Sequence, residues 1–301
     1  ESGGEPVKYL IGISQYGQHG SLDNCREGFL QGLEQAGLVE GTDFEVDYQN
    51  ANFDDNQATQ IGQMFSAEDA DLMVGIATNS AVACYAAAED KNIPVIFTAI
   101  TDPVQAKLDS GNVTGTSDAL NTAFILDMML AANPDIKTVG LLYSNSEANS
   151  TTPIAEAKAY LQEKQIDVVE KTGNTSGEIV EAAASMVGRV DAVFTPTDNV
   201  VMAAEVTVAE TLNEAGIPHY TGADSFVAAG AFATCGVNYT ELGTYTADMA
   251  MDILLGGAVP EFHVMDGGII TVNTETAAIL GIDYSVFASM ANTVVEVKTG
   301  E

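Results

Sequence analysis

The chain carries its own outline twice. Gly12 stands in Ile11-Gly12-Ile13-Ser14, and Gly140 stands in Val139-Gly140-Leu141-Leu142. Asp71-Leu72-Met73-Val74 runs on to Ala77-Thr78-Asn79, and Asp191-Ala192-Val193-Phe194 runs on to Thr197-Asp198-Asn199. Asn92-Ile93-Pro94-Val95 is answered by Gly216-Ile217-Pro218-His219. Three matched segments, in one order and at nearly one spacing, require two similarly wound lobes. Two lobes leave a cleft, and a cleft suggests a ligand.

The length suits that reading: 301 residues are long for one hydrophobic core and comfortable for two. A hydrophobic fraction of 46% with 18% charged residues is globular composition. No apolar run reaches the roughly 18 residues of a membrane span. The formal net charge of −33 repels phosphate backbones, which argues against nucleic acid as a partner, and opposes docking to anionic lipid. It fits a solvating surface. Cys25, Cys84 and Cys235 have neither zinc nor redox spacing and read as buried free thiols. The chain starts at Glu1 with a polar Ser-Gly-Gly-Glu-Pro lead. That fits a mature product whose targeting segment has been removed, or equally a tag scar.

Strands and helices alternate. Strands are expected at Val7 to Ile13, Asp43 to Gln49, Leu72 to Ile76, Pro94 to Ala99, Thr138 to Tyr143, Asp167 to Glu170 and Ala192 to Thr195, and from His219. Helices are expected from Ser21 or Asp23 to Gln35, and over Asn56 to Ser66, Ser80 to Asp90, Pro153 to Lys164, Gly177 to Val187, Val200 to Glu214 and Leu242 to Leu255. Short strands are expected near Phe262 to Met265 and Ile269 to Val272. This order implies right-handed βαβ units and parallel sheets with helices on both faces. The fold class is therefore α/β, with two Rossmann-like lobes. The lobes are expected at 6–118 plus 240–272 and at 119–239 plus 273–301, with crossovers near Asp118, Tyr239 and Asn273.

In open parallel sheets, ligands bind beyond the carboxyl ends of the strands. That rule selects Ser14 to Ser21, Ala77 to Ser80, Ile100 to Pro103, Ser144 to Ser150, Thr195 to Asn199 and Ala223 to Val227. These loops are rich in Ser, Thr and Asn, contain no Lys or Arg, and hold Asp102, Glu147, Asp198 and Asp224. A polyphosphate finds no clamp here. An ammonium group does find acids, and a single carboxylate is served by helix N-termini at Thr78-Asn79-Ser80 and Asn149-Ser150. A zwitterion such as an amino acid fits best. Its carboxylate is expected at Thr78, Ser80, Asn149 and Ser150, its ammonium at Asp224 or Asp198, and its side chain beside Tyr16 and Phe226. Each of these residues also has an ordinary reading, as a helix cap or as core. Catalytic signatures are weak: His19, His219 and His263 are scattered, and there is no nucleophile elbow, Walker loop or zinc motif. No metal or cofactor is expected.

The loop residues carry a resemblance. Gly12-Ile13-Ser14-Gln15 is followed by His19 and Leu22-Asp23; then come Ala77-Thr78, Thr101-Asp102-Pro103, Glu147-Ala148-Asn149-Ser150, Pro196-Thr197-Asp198-Asn199, and Tyr239 with Glu241-Leu242-Gly243. Over nearly its whole length the chain resembles the extracytoplasmic substrate-binding proteins of ABC transporters, in the branch associated with aromatic amino acids. It departs from the family's usual pattern at Gly20, where Pro is usual, and at Asn79-Ser80, where Pro-Ala is frequent. The resemblance implies the type I periplasmic-binding-protein fold: two lobes, three crossovers, and closure by a hinge. It also implies delivery to a membrane permease, a monomer without enzymatic activity, and a place outside the cytoplasm, periplasmic or as a surface lipoprotein. It adds Gln15, His19, Glu147 and Asn199 to the candidate ligand contacts, which include Asn79 from the helix start at Thr78-Asn79-Ser80 and the loop acid Asp102. The competing readings are a sugar or nucleoside receptor, a ligand sensor, and an isomerase using Asp102 and Asp198. The sugar reading is disfavoured by the absence of Trp and of loop arginines.

Overall fold

The computed structural model describes residues 8–300; the polar lead and Val7, where the first strand was expected to begin, lie outside them. The first stretch runs β1 (Tyr9–Gln15), α1 (Gly20–Gln35), β2 (Phe44–Asn50), α2 (Asp55–Ala67), β3 (Leu72–Ile76), α3 (Thr78–Ala88), β4 (Val95–Ile100) and β5 (Val113–Ser117). The second runs α4 (Thr122–Ala132), β6 (Thr138–Tyr143), α5 (Thr151–Glu163), β7 (Asp167–Thr172), α6 (Ser176–Ala184), β8 (Ala192–Thr195), α7 (Asn199–Glu214), β9 (His219–Thr221), α8 (Asp224–Ala228) and β10 (Ala233–Gly236). Then come α9 (Tyr239–Leu254) and β11 (His263–Val264), and finally β12 (Ile269–Asn273), α10 (Thr274–Leu280) and β13 (Thr293–Val297).

Two compact units result. One combines the chain through Ala119 with Asn238–Met265; the other combines Leu120–Val237 with the chain from Asp266. The chain thus passes between units three times. The first sheet has order β11-β5-β4-β3-β1-β2, parallel throughout. The second has order β13-β12-β10-β9-β8-β6-β7. The fold is the expected α/β pair of lobes, with two differences. The second sheet is mixed, because β12 runs antiparallel to β10. And β12 belongs to the second unit, so residues 266–272 leave the lobe to which the sequence assigned them. The third passage lies at Met265–Asp266, ahead of the expected Asn273, because β12 pairs with β10 and β13 and brings that stretch with it.

In the first unit, α1 buries Leu22, Cys25, Phe29 and Leu33 along one stripe. It meets α9 almost backbone to backbone at Gly28 and Gly243: a Cβ on Gly243 would stand 2.1 Å from the Cys25 carbonyl oxygen. Behind them Thr116 and Thr246 share a 2.7 Å hydroxyl contact. Two of the passages are tied together within this unit. Asp118, buried beside the first, accepts hydrogen bonds from Tyr239 Oη at 2.8 Å and Thr101 Oγ1 at 3.3 Å. Burial pushes its carboxyl above the usual carboxylate value, against the pull of those two donors. The core of the second unit runs from Met128, Met129 and Ile154 to Phe194, Tyr220, Phe232 and Phe287. Tyr220 meets Phe232 edge to face at 5.3 Å.

Candidate functional site

In a sheet of order 2-1-3-4, loops on either side of the strand-order reversal splay apart and open a crevice. That reversal falls between β1 and β3 in the first unit and between β6 and β8 in the second. Of the expected loops, those after β1 and β3 and those after β6 and β8 flank the reversal of their own sheet, whereas Ile100 to Pro103 follows β4 and Ala223 to Val227 follows β9, one strand further along.

In the first unit, the turn from β3 into α3 is sharp. Ala77 holds φ +75°, a conformation costing of order 1–3 kcal/mol for a non-glycine residue. It delivers Thr78, Asn79 and Ser80 as the first turn of α3, which no side chain caps. Helix-opening N–H groups lack intrahelical acceptors and carry partial positive charge. Ser80 is tied to Ser14 through their hydroxyls at 3.1 Å. Thr78 Oγ1 is buried with no hydrogen-bond partner. A buried, unpaired hydroxyl beside open N–H groups is a preorganised acceptor of an anion.

Gln15 is engaged on both sides of its amide: Nε2 donates to the Gly17 carbonyl at 2.7 Å and to Asp23 at 2.8 Å, and Oε1 accepts from Arg26 at 2.8 Å. Arg26, from α1, is a cation that the loop composition did not reveal. Asp23, expected as a helix cap, instead binds Arg26 at 3.2 Å; His19 holds the cap position of α1 without a side-chain capping bond. Tyr16 is buried and donates to Asp55 at 2.9 Å; Asn79 donates to the same Oδ1 at 2.8 Å. Phe53 meets Tyr16 edge to face at 6.0 Å. Its φ of +60° and the bare Gly17, where a Cβ would fall 1.9 Å from the ring, hold it at the carboxyl end of the sheet. Phe53 and Asp55 follow β2, outside the loops the sequence selected; the aromatic in the Asn52-Phe53-Asp54 turn was the available signal. Asp102 accepts from the Gln105 N–H at 2.9 Å.

In the second unit, two buried acids hold each other's loops. Asp198 caps α7 through Val201 N–H at 3.0 Å, and its other oxygen accepts from Ser144 N–H and Ser150 Oγ, both at 2.7 Å. Glu147, 2% exposed, accepts on Oε2 from the backbone and side-chain amides of Asn199 at 3.2 and 2.8 Å. Asn149 Nδ2 donates to the Thr197 carbonyl at 2.5 Å. Glu147 Oε1 and Asn149 Oδ1 are buried without partners. Burial first, and the Asp198 charge second, push the Glu147 carboxyl up to about 8. Asp198, also raised by burial, has three donors to hold its charge. Those donors make Asp198 the more acidic member of the pair, and Glu147 the one that holds its proton more tightly.

Asp198 and Ser150, expected at ligand ammonium and carboxylate respectively, are thus bonded to each other, and both Asp198 oxygens are occupied. Asp224 opens the five-residue α8 in a stretch expected to be a loop, and Phe226 in the same helix is buried. His219 is sealed between Glu205 at 2.9 Å and Thr195 at 2.8 Å. His263 stacks on Tyr245 at 4.2 Å.

Folded Glu147 keeps its proton to about pH 8, whereas in the unfolded chain it gives it up near the ordinary 4.5. Unfolding releases a proton between those values, so stability falls as pH rises through that window. The melting temperature of the ligand-free protein is expected to decline from pH 5 to pH 8, with a shallower slope in Glu147→Gln; equal slopes in thermal melts would contradict it.

A family model described as ABC transporter substrate binding protein matches residues 10–294. A tyrosine-binding protein from Clostridioides difficile (strain R20291) is 36% identical over 274 residues, covering 88% of this chain and 79% of that protein. The crystal structure of an ABC domain in complex with L-Trp from Streptococcus pneumonia is 31% identical, with a TM-score of 0.90 over 96% of this chain and all of the other. A Bacillus halodurans C-125 solute-binding protein with bound myo-inositol is similar in fold alone: it is 15% identical, with a TM-score of 0.70, covering 92% of this chain and 99% of that one.

Proposed function

The chain belongs to the ABC transporter substrate-binding protein family, and on that premise we propose that it is the extracytoplasmic receptor of an importer for an aromatic L-amino acid. The loaded monomer hands it unaltered to a membrane permease. The relatives support the ligand class, since one is named for tyrosine and another holds L-Trp.

The observation that carries the reading is the α3 N-terminus: an uncapped helix start with a buried, partnerless Thr78 hydroxyl. It suits the ligand's carboxylate. The internal repeat sharpens this. Thr78 corresponds to Asp198, so one unit opens its helix to an anion while the other closes the matching helix with an acid. Of these two matched helix starts, that of α3 is the one left open to a carboxylate. Tyr16, Asn79, Ser80 and Asp102 belong to the proposed wall of the first unit; Phe53 extends it with an aromatic face. Glu147, Asn149, Asn199, Asp224 and Phe226 belong to that of the second. Gln15, His19, Ser150 and Asp198 hold those walls in place.

Titration calorimetry is expected to show binding of tyrosine, tryptophan or phenylalanine and none of myo-inositol or hexoses. Thr78→Val, which keeps the shape and removes the hydroxyl, is expected to weaken binding about 10- to 100-fold, as for a hydrogen bond to a charged group. Unchanged affinity would move the carboxylate elsewhere; tight sugar binding would overturn the ligand class. Mass analysis and chiral chromatography after long incubation are expected to return the amino acid unchanged.

A further inference from the structure

Resting on the reading above, we infer that Glu147 Oε1 receives the ligand's primary ammonium group, and that Glu147 gives up its own proton in doing so. Two hydrogen-bond acceptors are left open in the second unit's loops, Glu147 Oε1 and Asn149 Oδ1, on residues 2% and 6% exposed. Buried acceptors without donors are costly unless a ligand supplies the donors. Both lie beside the β6–β8 reversal. Oε2 of Glu147 is already fixed by the two Asn199 amides, so the carboxyl is held in one orientation with its other oxygen free. Asp198, the other acid of the pair, is filled by Ser144, Ser150 and Val201. An ammonium brings three N–H donors and a positive charge; a sugar hydroxyl brings one donor and no charge.

The groups packed around Glu147 fix its proton chemistry. Asp198, at the start of α7, is the charged group that acts on it; the amides of Asn199 and Asn149 are neutral donors. Burial first, and the Asp198 charge second, with no cation among these contacts, keep Glu147 protonated up to about pH 8 in the empty protein. An arriving ammonium reverses that balance: the carboxyl loses its proton to solvent, and the carboxylate pairs with the ammonium. Net charge in the pocket is unchanged while one proton leaves. Affinity should then rise with pH, about tenfold per unit while the empty protein is protonated and the complex is not.

Calorimetry of the intact protein with L-tyrosine at pH 7, in two buffers of different ionisation enthalpy, is expected to show release of close to one proton per ligand. Affinity is expected to strengthen about tenfold from pH 6 to pH 7. In Glu147→Gln the release is expected to vanish, the pH dependence to flatten, and affinity at pH 8 to drop at least 30-fold. Tyrosine binding without proton release, or release retained in Glu147→Gln, would overturn the inference and leave the proposed function standing. Failure of the wild-type protein to bind any aromatic amino acid would overturn both. The wild-type buffer series decides the matter even where Glu147→Gln does not fold.

Discussion

Gly243→Ala is expected to destabilise the first unit by about 3 kcal/mol or more, at or above the top of the usual overpacking range. The added methyl would meet the Cys25 carbonyl oxygen at 2.1 Å and the Phe29 nitrogen at 2.8 Å. Both belong to the α1 backbone, which cannot swing aside as a side chain does. Gly28→Ala meets the Thr240 carbonyl oxygen at 2.1 Å from the other side and should behave alike. Relief requires α1 and α9 to separate, and that exposes Cys25, Phe29 and Leu33. Gly177, in α6 with open space around it, is the control: Gly177→Ala should be neutral or stabilise by up to about 1 kcal/mol. Scanning calorimetry separates these outcomes. A Gly243→Ala protein melting within a degree or two of wild type would show that the two helices are not locked together.

Asp198→Ala is the second large effect, and it should appear first in stability. The substitution removes the cap of α7, worth about 1 kcal/mol, and strands the Ser144 N–H and the Ser150 hydroxyl, each at about 1–3 kcal/mol when buried and unpaired. A loss of about 3 kcal/mol or more in the second unit is expected. Burial, the first cause of the Glu147 shift, stays in this variant, but losing the Asp198 charge, the second, should bring that carboxyl down part of the way. The melting temperature should therefore depend less steeply on pH than in wild type. If Asp198 were a ligand group and not a loop anchor, the variant would melt normally and fail only in binding.

The repeat made the architecture legible because a βαβ unit is a local object. Gly12 and Gly140 recur because each lets one buried side chain, Phe65 or Met186, press onto its strand. Leu72–Ile76, Thr138–Tyr143 and Ala192–Thr195 fall where the apolar runs placed them. Periodicity does not reveal β5, whose Val-Thr-Gly-Thr-Ser sequence lacks an apolar run although all five residues are buried. Nor does it reveal β10 and β13, because a four-residue Ala-Thr-Cys-Gly strand and an exposed edge strand carry little of it.

The sequence by itself determined the two α/β lobes, the loops at the strand ends, and the residue types in those loops, because periodicity and turn chemistry act over a few neighbouring residues. Tertiary structure alone decided what each loop residue does. Asp198 and Glu147 are both loop acids in the sequence, yet one is saturated with three donors and the other keeps an open oxygen and a proton. Thr78 and Ser80 are both helix-opening hydroxyls, yet Ser80 is tied to Ser14 and Thr78 has no hydrogen-bond partner. The antiparallel β12 and the placement of residues 266–272 were likewise settled by pairing with strands far away in the chain. A residue's charge or hydroxyl is fixed by its identity, but its availability depends on which donors and acceptors the fold brings within hydrogen-bonding distance, and those come from segments dozens of residues apart.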